Sequence, residues 1–143
     1  MYNEILVPTD GSDASMEAVE QGVMIADRFG GTIHFLNVVD VGTEMSASGV
    51  GHIADELSKS LEQMADDALT DAESRAEDAD VPYERTILEG LPHEATVEYS
   101  DGHDIDLIVM GATGQSGIKE HLLGSTTDRV TQSVDSSVLI ARP

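Results

Sequence analysis

Short apolar runs alternate with longer helical patterns along this chain, and the alternation predicts nearly every element. Residues 3–7 (NEILV) form an apolar run that stops at Pro8, which predicts a first strand. Thr9-Asp10-Gly11-Ser12 is turn chemistry, with Ser12 or Asp13 suited to cap a helix. Over residues 14–29, Ala18, Val19, Gly22, Val23 and Ala26 recur at helical spacing, and Gly30-Gly31 closes that helix. Residues 32–39 (TIHFLNVV), apolar and rich in β-branched side chains, predict a second strand. Residues 40–52 carry glycine and small residues without a period and read as a mobile loop, Met45 included. Leu57, Leu61, Met64, Ala65, Ala68, Ala72 and Ala76 then mark a long amphipathic helix with acids outward and Met64 in the core. Residues 82–88 predict a third strand, Pro92 the first turn of a short helix, and residues 105–110 (IDLIVM) a fourth strand. A helix over residues 125–134 and a strand over residues 137–142 (SVLIAR) complete the pattern.

Strand and helix alternate throughout, which predicts an α/β fold: a parallel sheet with helices on both faces, in a single domain over residues 1–143. In such sheets ligands sit beyond the carboxyl ends of strands, where the strand order reverses. Two polar clusters fall at strand carboxyl ends here. One is Pro8-Thr9-Asp10. The other is the glycine-rich stretch 111–127 (GATGQSGIKEHLLGSTT), which leads from the fourth strand into a helix. Glycines allow backbone N–H groups to approach a bulky anion, and a helix N-terminus adds unpaired donors and the positive end of a dipole. Ser125, Thr126 and Thr127 bring hydroxyls to the same place, so the stretch suits phosphate. It lacks the Gly-Lys-Ser/Thr ending of a Walker A loop and the Gly-x-Gly-x-x-Gly of a dinucleotide fingerprint.

Charge narrows the field. Asp and Glu number 28 against 7 Lys plus Arg, a net charge of -21, and only Lys59 and Lys119 are lysines. Nucleic-acid binding needs a basic footprint that this chain lacks. With 40% apolar residues in periodic runs, adaptation to high salt accounts for the charge better than disorder does. Cysteine is absent, which removes thiolate chemistry, and no apolar stretch reaches a membrane span, so a cytoplasmic protein is expected. The histidines (His34, His52, His93, His103, His121) show no metal-ligand spacing and read as surface or core residues. Lys119, His121 and Arg129 are cations near the glycine stretch.

The opening ILVPTDGS, the NVVD after the second strand, the Gly-x2-Gly-x9-Gly-Ser spacing, the STTDRV that follows and the closing SVLIAR together resemble the universal stress protein family over nearly the whole chain. The resemblance implies a three-layer, Rossmann-like sandwich of the adenine-nucleotide alpha-hydrolase type, with a five-stranded parallel sheet ordered 3-2-1-4-5. It implies the branch that binds ATP, or AMP or ADP, with Mg²⁺, and acts as a stress-response switch. Pro8, Thr9 and Asp10 would lie along adenine and ribose, with Asp10 accepting ribose hydroxyls or helping to hold a divalent ion. Val38 would meet adenine through its backbone, Met110 and Gly111 would flank ribose and the α-phosphate, and Gly114, Gly124, Ser125 and Thr126 would cradle phosphates. Many members pair through the last strand, which implies a homodimer along Val138 to Ala141. Two positions depart from the family: Thr113 stands where a basic residue is common, and Glu120 where a basic or neutral one is.

Three bland or rival readings stand beside this one. Asp10 can serve as an Asx-turn residue and Ser125 as a plain N-cap. The turn TDGSDAS faintly resembles the phosphate loop of ATP pyrophosphatases, which would make the chain an adenylating enzyme, although that pattern is broken here. A nucleotide-free dimerisation module is the third. No nucleophile and base can be assigned from the sequence, so no catalytic residue is expected.

Overall fold

The computed structural model describes residues 1–40, 52–113 and 124–143. Strands β1 (Glu4–Pro8), β2 (Thr32–Val39), β3 (Tyr83–Glu89), β4 (Leu107–Gly111) and β5 (Ser137–Ala141) alternate with helices α1 (Asp13–Phe29), α2 (His52–Asp78), α3 (Pro92–Gly102) and α4 (Ser125–Ser133). The strands form one five-stranded sheet in the order β3-β2-β1-β4-β5, as the family resemblance implies. Every pairing is parallel, with Val7 beside Phe35, Ile5 beside Leu107, Leu36 beside Thr86 and Val109 beside Leu139. The order reverses at β1, whose two neighbours are β2 and β4.

Side chains alternate across the sheet because a strand has a period of two. Ile5, Val7, Ile33, Phe35, Leu107 and Val109 share one face with Ala18, Val19 and Val23 of α1 and Leu69, Ala72 and Ala76 of α2. Leu6, Leu36, Ile108 and Met110 share the other with Tyr99 of α3 and Val130 of α4. The central strands thus read as continuous apolar runs because both faces are covered. His34 lies on the second face, buried, with Nδ1 2.8 Å from the Tyr99 hydroxyl. Burial pushes the Tyr99 phenol above its ordinary pKa. His34 is thus a core residue, one of the two bland alternatives expected of the histidines.

Several expected boundaries move by a residue or two. β1, β3 and β4 each begin and end later than the apolar run alone implies, so Pro8 and Gly111 close strands and Arg142 falls outside β5. Helix α1 is capped by Ser12, whose Oγ accepts from the Ser15 N–H at 3.2 Å, and it ends on Gly30 in the left-handed conformation. Helix α2 begins at His52, well before Leu57, and the loop expected over residues 40–52 lies almost wholly outside the described residues, Met45 with it. Met64, expected in the core, is 53% exposed, and Leu69 is fully buried in its stead. Leu69 lies four residues beyond Ala65 and completes the buried stripe, where a side chain of its size is worth about 1.5–3 kcal/mol. Ser125 is the first helical residue of α4, and Gly124 occupies the cap position with no side-chain cap bond. The plain N-cap reading of Ser125 therefore fails.

Candidate functional site

The carboxyl ends of β1, β2 and β4 meet at the reversal of strand order, and hydrogen bonds fix each chain end there. The Thr9 N–H donates to the Leu36 carbonyl at 2.8 Å, extending the β1–β2 ladder by one residue. The Asn37 amide then donates to the Thr9 carbonyl, also at 2.8 Å. Beyond it the Ser12 N–H donates to Asp10 Oδ1 at 2.9 Å, an Asx turn that Gly11 permits by taking φ 82°. Asp10 is therefore the Asx-turn residue of the bland reading, and it also lines the cavity described below.

The hydroxyls of this turn have a definite direction. Ser15 Oγ donates to the Ser12 carbonyl at 3.0 Å, so its single proton is committed. The 3.0 Å contact between Thr9 Oγ1 and Ser15 Oγ must then run from Thr9 to Ser15. Thr9 is buried, and its hydroxyl proton points into the turn rather than toward a ligand. What the turn offers outward is the Asp10 carboxylate and backbone.

The second wall comes from β4 and α4. A Cβ on Gly111 would stand 2.6 Å from the Ala14 carbonyl oxygen of α1. That glycine is required for close packing of strand against helix. The Gly111 carbonyl accepts from the buried Thr127 hydroxyl at 2.9 Å, and the Gly124 N–H donates to the Ala112 carbonyl at 2.7 Å. Both ends of the glycine stretch are thereby stitched together across residues 114–123. The first-turn amides of α4 have no partner within the helix, and the cap residue, Gly124, has no side chain to offer them.

Between these walls lies a cavity of about 220 Å³. Leu36, Val38, Pro92 and Met110 give it an apolar part, and Thr113, Ser125 and Thr126 a polar one. Pro8, Thr9, Asp10, Val38, Met110, Gly111, Gly124, Ser125 and Thr126, all expected from the sequence, line it, whereas Gly114 lies outside the described residues. Ser15, Leu36, Pro92 and Thr96 also line it and were not expected, and Thr127, expected as a phosphate donor, lines it but gives its hydroxyl proton to the Gly111 carbonyl. Proline at the start of α3 was visible, but nothing local shows that α3 returns to the β1 end. A smaller cavity of about 190 Å³ adjoins, sharing Asp10 and Val38 and reaching Asn37, Asp40, Leu61 and Met64. That contact explains why Met64 is not in the core.

Among the described residues no histidine lines the larger cavity, and no group of three or more His, Asp or Glu could hold a metal ion. Asp10 is the only carboxylate among the described lining residues. One carboxylate completed by other oxygen ligands and waters is a set that Mg²⁺ accepts, and Asp10 is the described lining residue whose chemistry fits such an ion. No helix among the described residues is long and apolar enough to cross a membrane.

The chain matches the model of the Universal stress protein family over residues 1–142. It is 35% identical to universal stress protein MJ0531 of Methanocaldococcus jannaschii, over 99% of this chain and 83% of that protein. The structure of universal stress protein UspA from Lactobacillus plantarum is similar, with a TM-score of 0.84 at 32% identity, covering 99% of this chain and 98% of that one. A universal stress protein solved in complex with cAMP is similar too, with a TM-score of 0.71 at 28% identity over 99% of this chain and 97% of that one. Fold, strand order and sequence together make this chain a member of the universal stress protein family.

Proposed function

We propose that this chain is an adenine-nucleotide-binding universal stress protein that works by switching conformation or partners. The observation that carries the reading is the joining of the Thr9-Asp10 turn and the Gly124–Thr126 helix start around one cavity at the sheet's switch point. The apolar part suits a base, the Asp10 carboxylate suits ribose hydroxyls, and the first-turn α4 amides with the Ser125 and Thr126 hydroxyls suit phosphate. The relative solved with cAMP supports the class of ligand. On this reading ATP, AMP or ADP is the nucleotide, Mg²⁺ enters with the phosphates, and no catalytic residue is used. The protein is a single cytoplasmic domain, a homodimer through β5, from a salt-loving source, and it binds neither nucleic acid nor membrane.

The test is to denature the purified protein, identify any released nucleotide by mass spectrometry, and titrate adenosine, AMP and ATP calorimetrically. Asp10→Ala removes a charged acceptor, a contact worth about 1.5–3 kcal/mol, so affinity should fall roughly tenfold or more. Unchanged affinity in that variant would sink the assignment of Asp10. Turnover of ATP at an ordinary enzymatic rate would instead favour the adenylating-enzyme reading.

A further inference from the structure

We infer that this site selects adenine nucleotides by how little charge their phosphate carries, taking a monophosphate or a cyclic phosphodiester unaided and a triphosphate only together with a divalent cation. The inference rests on the nucleotide-binding reading and adds to it a rank order and a sign of salt dependence.

The cavity has no positive side chain among its described lining residues, and its one charged group, Asp10, is an acid. None of the described cations, Arg28, Lys59, Arg75, Arg85, Arg129 and Arg142, lines the cavity, and Arg129, exposed one turn into α4, is the one on the helix that meets phosphate. Arg75 pairs with Glu20, and Arg85 of β3 pairs with Asp66 at 3.0 Å and Glu73 at 3.4 Å. Arg28 lies in the last turn of α1, at the opposite end of the sheet from the carboxyl ends of the strands. In sequence, residues 114–123 contain Lys119 and Glu120, whose formal charges cancel.

Among the described residues phosphate is therefore met by neutral donors, the Ser125 and Thr126 hydroxyls and the α4 amides. A helix N-terminus supplies the equivalent of roughly +0.5 charge. A phosphate monoester carries roughly −1.5 to −2 at pH 7, and a triphosphate more. The donors offset about half of the single charge of a cyclic phosphodiester, a smaller share of a monophosphate's, and leave a triphosphate largely uncompensated. Around the site stands a protein of net charge -21. Its repulsion reaches about 10 Å at 0.1 M salt and about 3 Å at 1 M. A basic phosphate site loses affinity as salt rises. This site gains it, and gains most for the ligand with most charge.

The experiment is calorimetric titration of the full chain with adenosine, cAMP, AMP and ATP, in EDTA and in Mg²⁺, at about 0.1 M and about 1 M KCl. Each affinity is divided by that of adenosine, which is neutral, so any salt-dependent change in the folded fraction cancels. In EDTA at the lower salt, ATP should bind about tenfold more weakly than AMP, and the gap should close with either Mg²⁺ or the higher salt. Thr113→Arg, which adds a cation at the cavity wall, should raise ATP above AMP and reverse the salt slope. ATP in EDTA binding as tightly as AMP, or weakening relative to adenosine as KCl rises, overturns the inference and leaves the adenine site standing. If no adenine ligand binds at either salt, the adenine site itself falls and the selection with it.

Discussion

Gly111 sits in a glycine-rich stretch, yet its lack of a side chain serves the packing of α1. An alanine there would put Cβ 2.6 Å from the Ala14 carbonyl oxygen, and backbone, unlike a flexible side-chain tip, has to move as a unit. Gly111→Ala should therefore destabilise by about 1–3 kcal/mol in urea denaturation, the usual cost of overpacking. No loss would mean that α1 shifts freely. Asn37 acts at the same scale from the other strand. Asn37→Ala leaves the buried Thr9 carbonyl without its donor, a cost of about 1–3 kcal/mol. Asn37→Asp keeps the shape but sets an acceptor against an acceptor, so it should be at least as unstable. Wild-type stability in the Asp variant would show that the bond is not what holds the turn. Neither the Asn37 bond to Thr9 nor the Thr127 bond to Gly111 was expected, because they join residues 28 and 16 positions apart. Local pattern shows a polar residue in an apolar run but not its distant partner. Thr9 and Asp10 were legible because the turn chemistry is local, and Met64 was misplaced because helical period alone does not say where a cavity opens.

Element type was legible almost everywhere, since each strand is a short apolar run and each helix a longer stripe between turn residues. Strand order was not written in that pattern. It came from the family resemblance, because every parallel crossover is compatible with several orders. Order matters for the edges. β3 at one edge exposes Glu84, Arg85 and Glu89, charges that discourage pairing with another chain. β5 at the other edge has Val138, Leu139 and Ile140 half-buried in succession, with no lysine, proline or charge among them. An apolar edge of this kind is a template for a second copy, and a two-fold axis would set the strand against itself. The prediction is a dimer by light scattering in high KCl. Alternate N–H groups of an edge strand point outward, so Leu139→Pro and Ile140→Pro should differ, with the one that removes an outward donor dissociating more readily. A wild-type protein that stays monomeric at micromolar concentration would end the idea.

At the scale of the whole molecule the deciding quantity is charge. The acids crowd the surface: Glu62, Asp66, Asp67, Asp71, Glu77 and Asp78 lie exposed along α2, and few cations oppose them. Only Arg75 and Arg85 form ion pairs with acids through a guanidinium among the described residues, and exposed pairs are worth at most about 1 kcal/mol each. The folded state holds these carboxylates closer together than the unfolded chain does, so their repulsion opposes folding until salt screens it. The melting temperature should therefore rise with KCl and level off near about 1 M, where the screening length has fallen to about 3 Å. For a chain of this length each kcal/mol regained lifts the midpoint by roughly 2–8 °C. The shape of the curve separates screening from the general exclusion of salt from protein surface, because exclusion keeps rising at higher concentration. A charge reversal gives a second, independent handle. Asp71→Lys would place a cation four residues after Asp67 but also four before Arg75, so the new helical pair and the new like-charge contact offset each other, and the gain comes from the fall in net repulsion. That variant should melt higher than wild type at low salt and lose the advantage in molar KCl. A melting temperature that is flat or falls with KCl, or a variant whose advantage persists at every salt, would make repulsion among these acids irrelevant to folding.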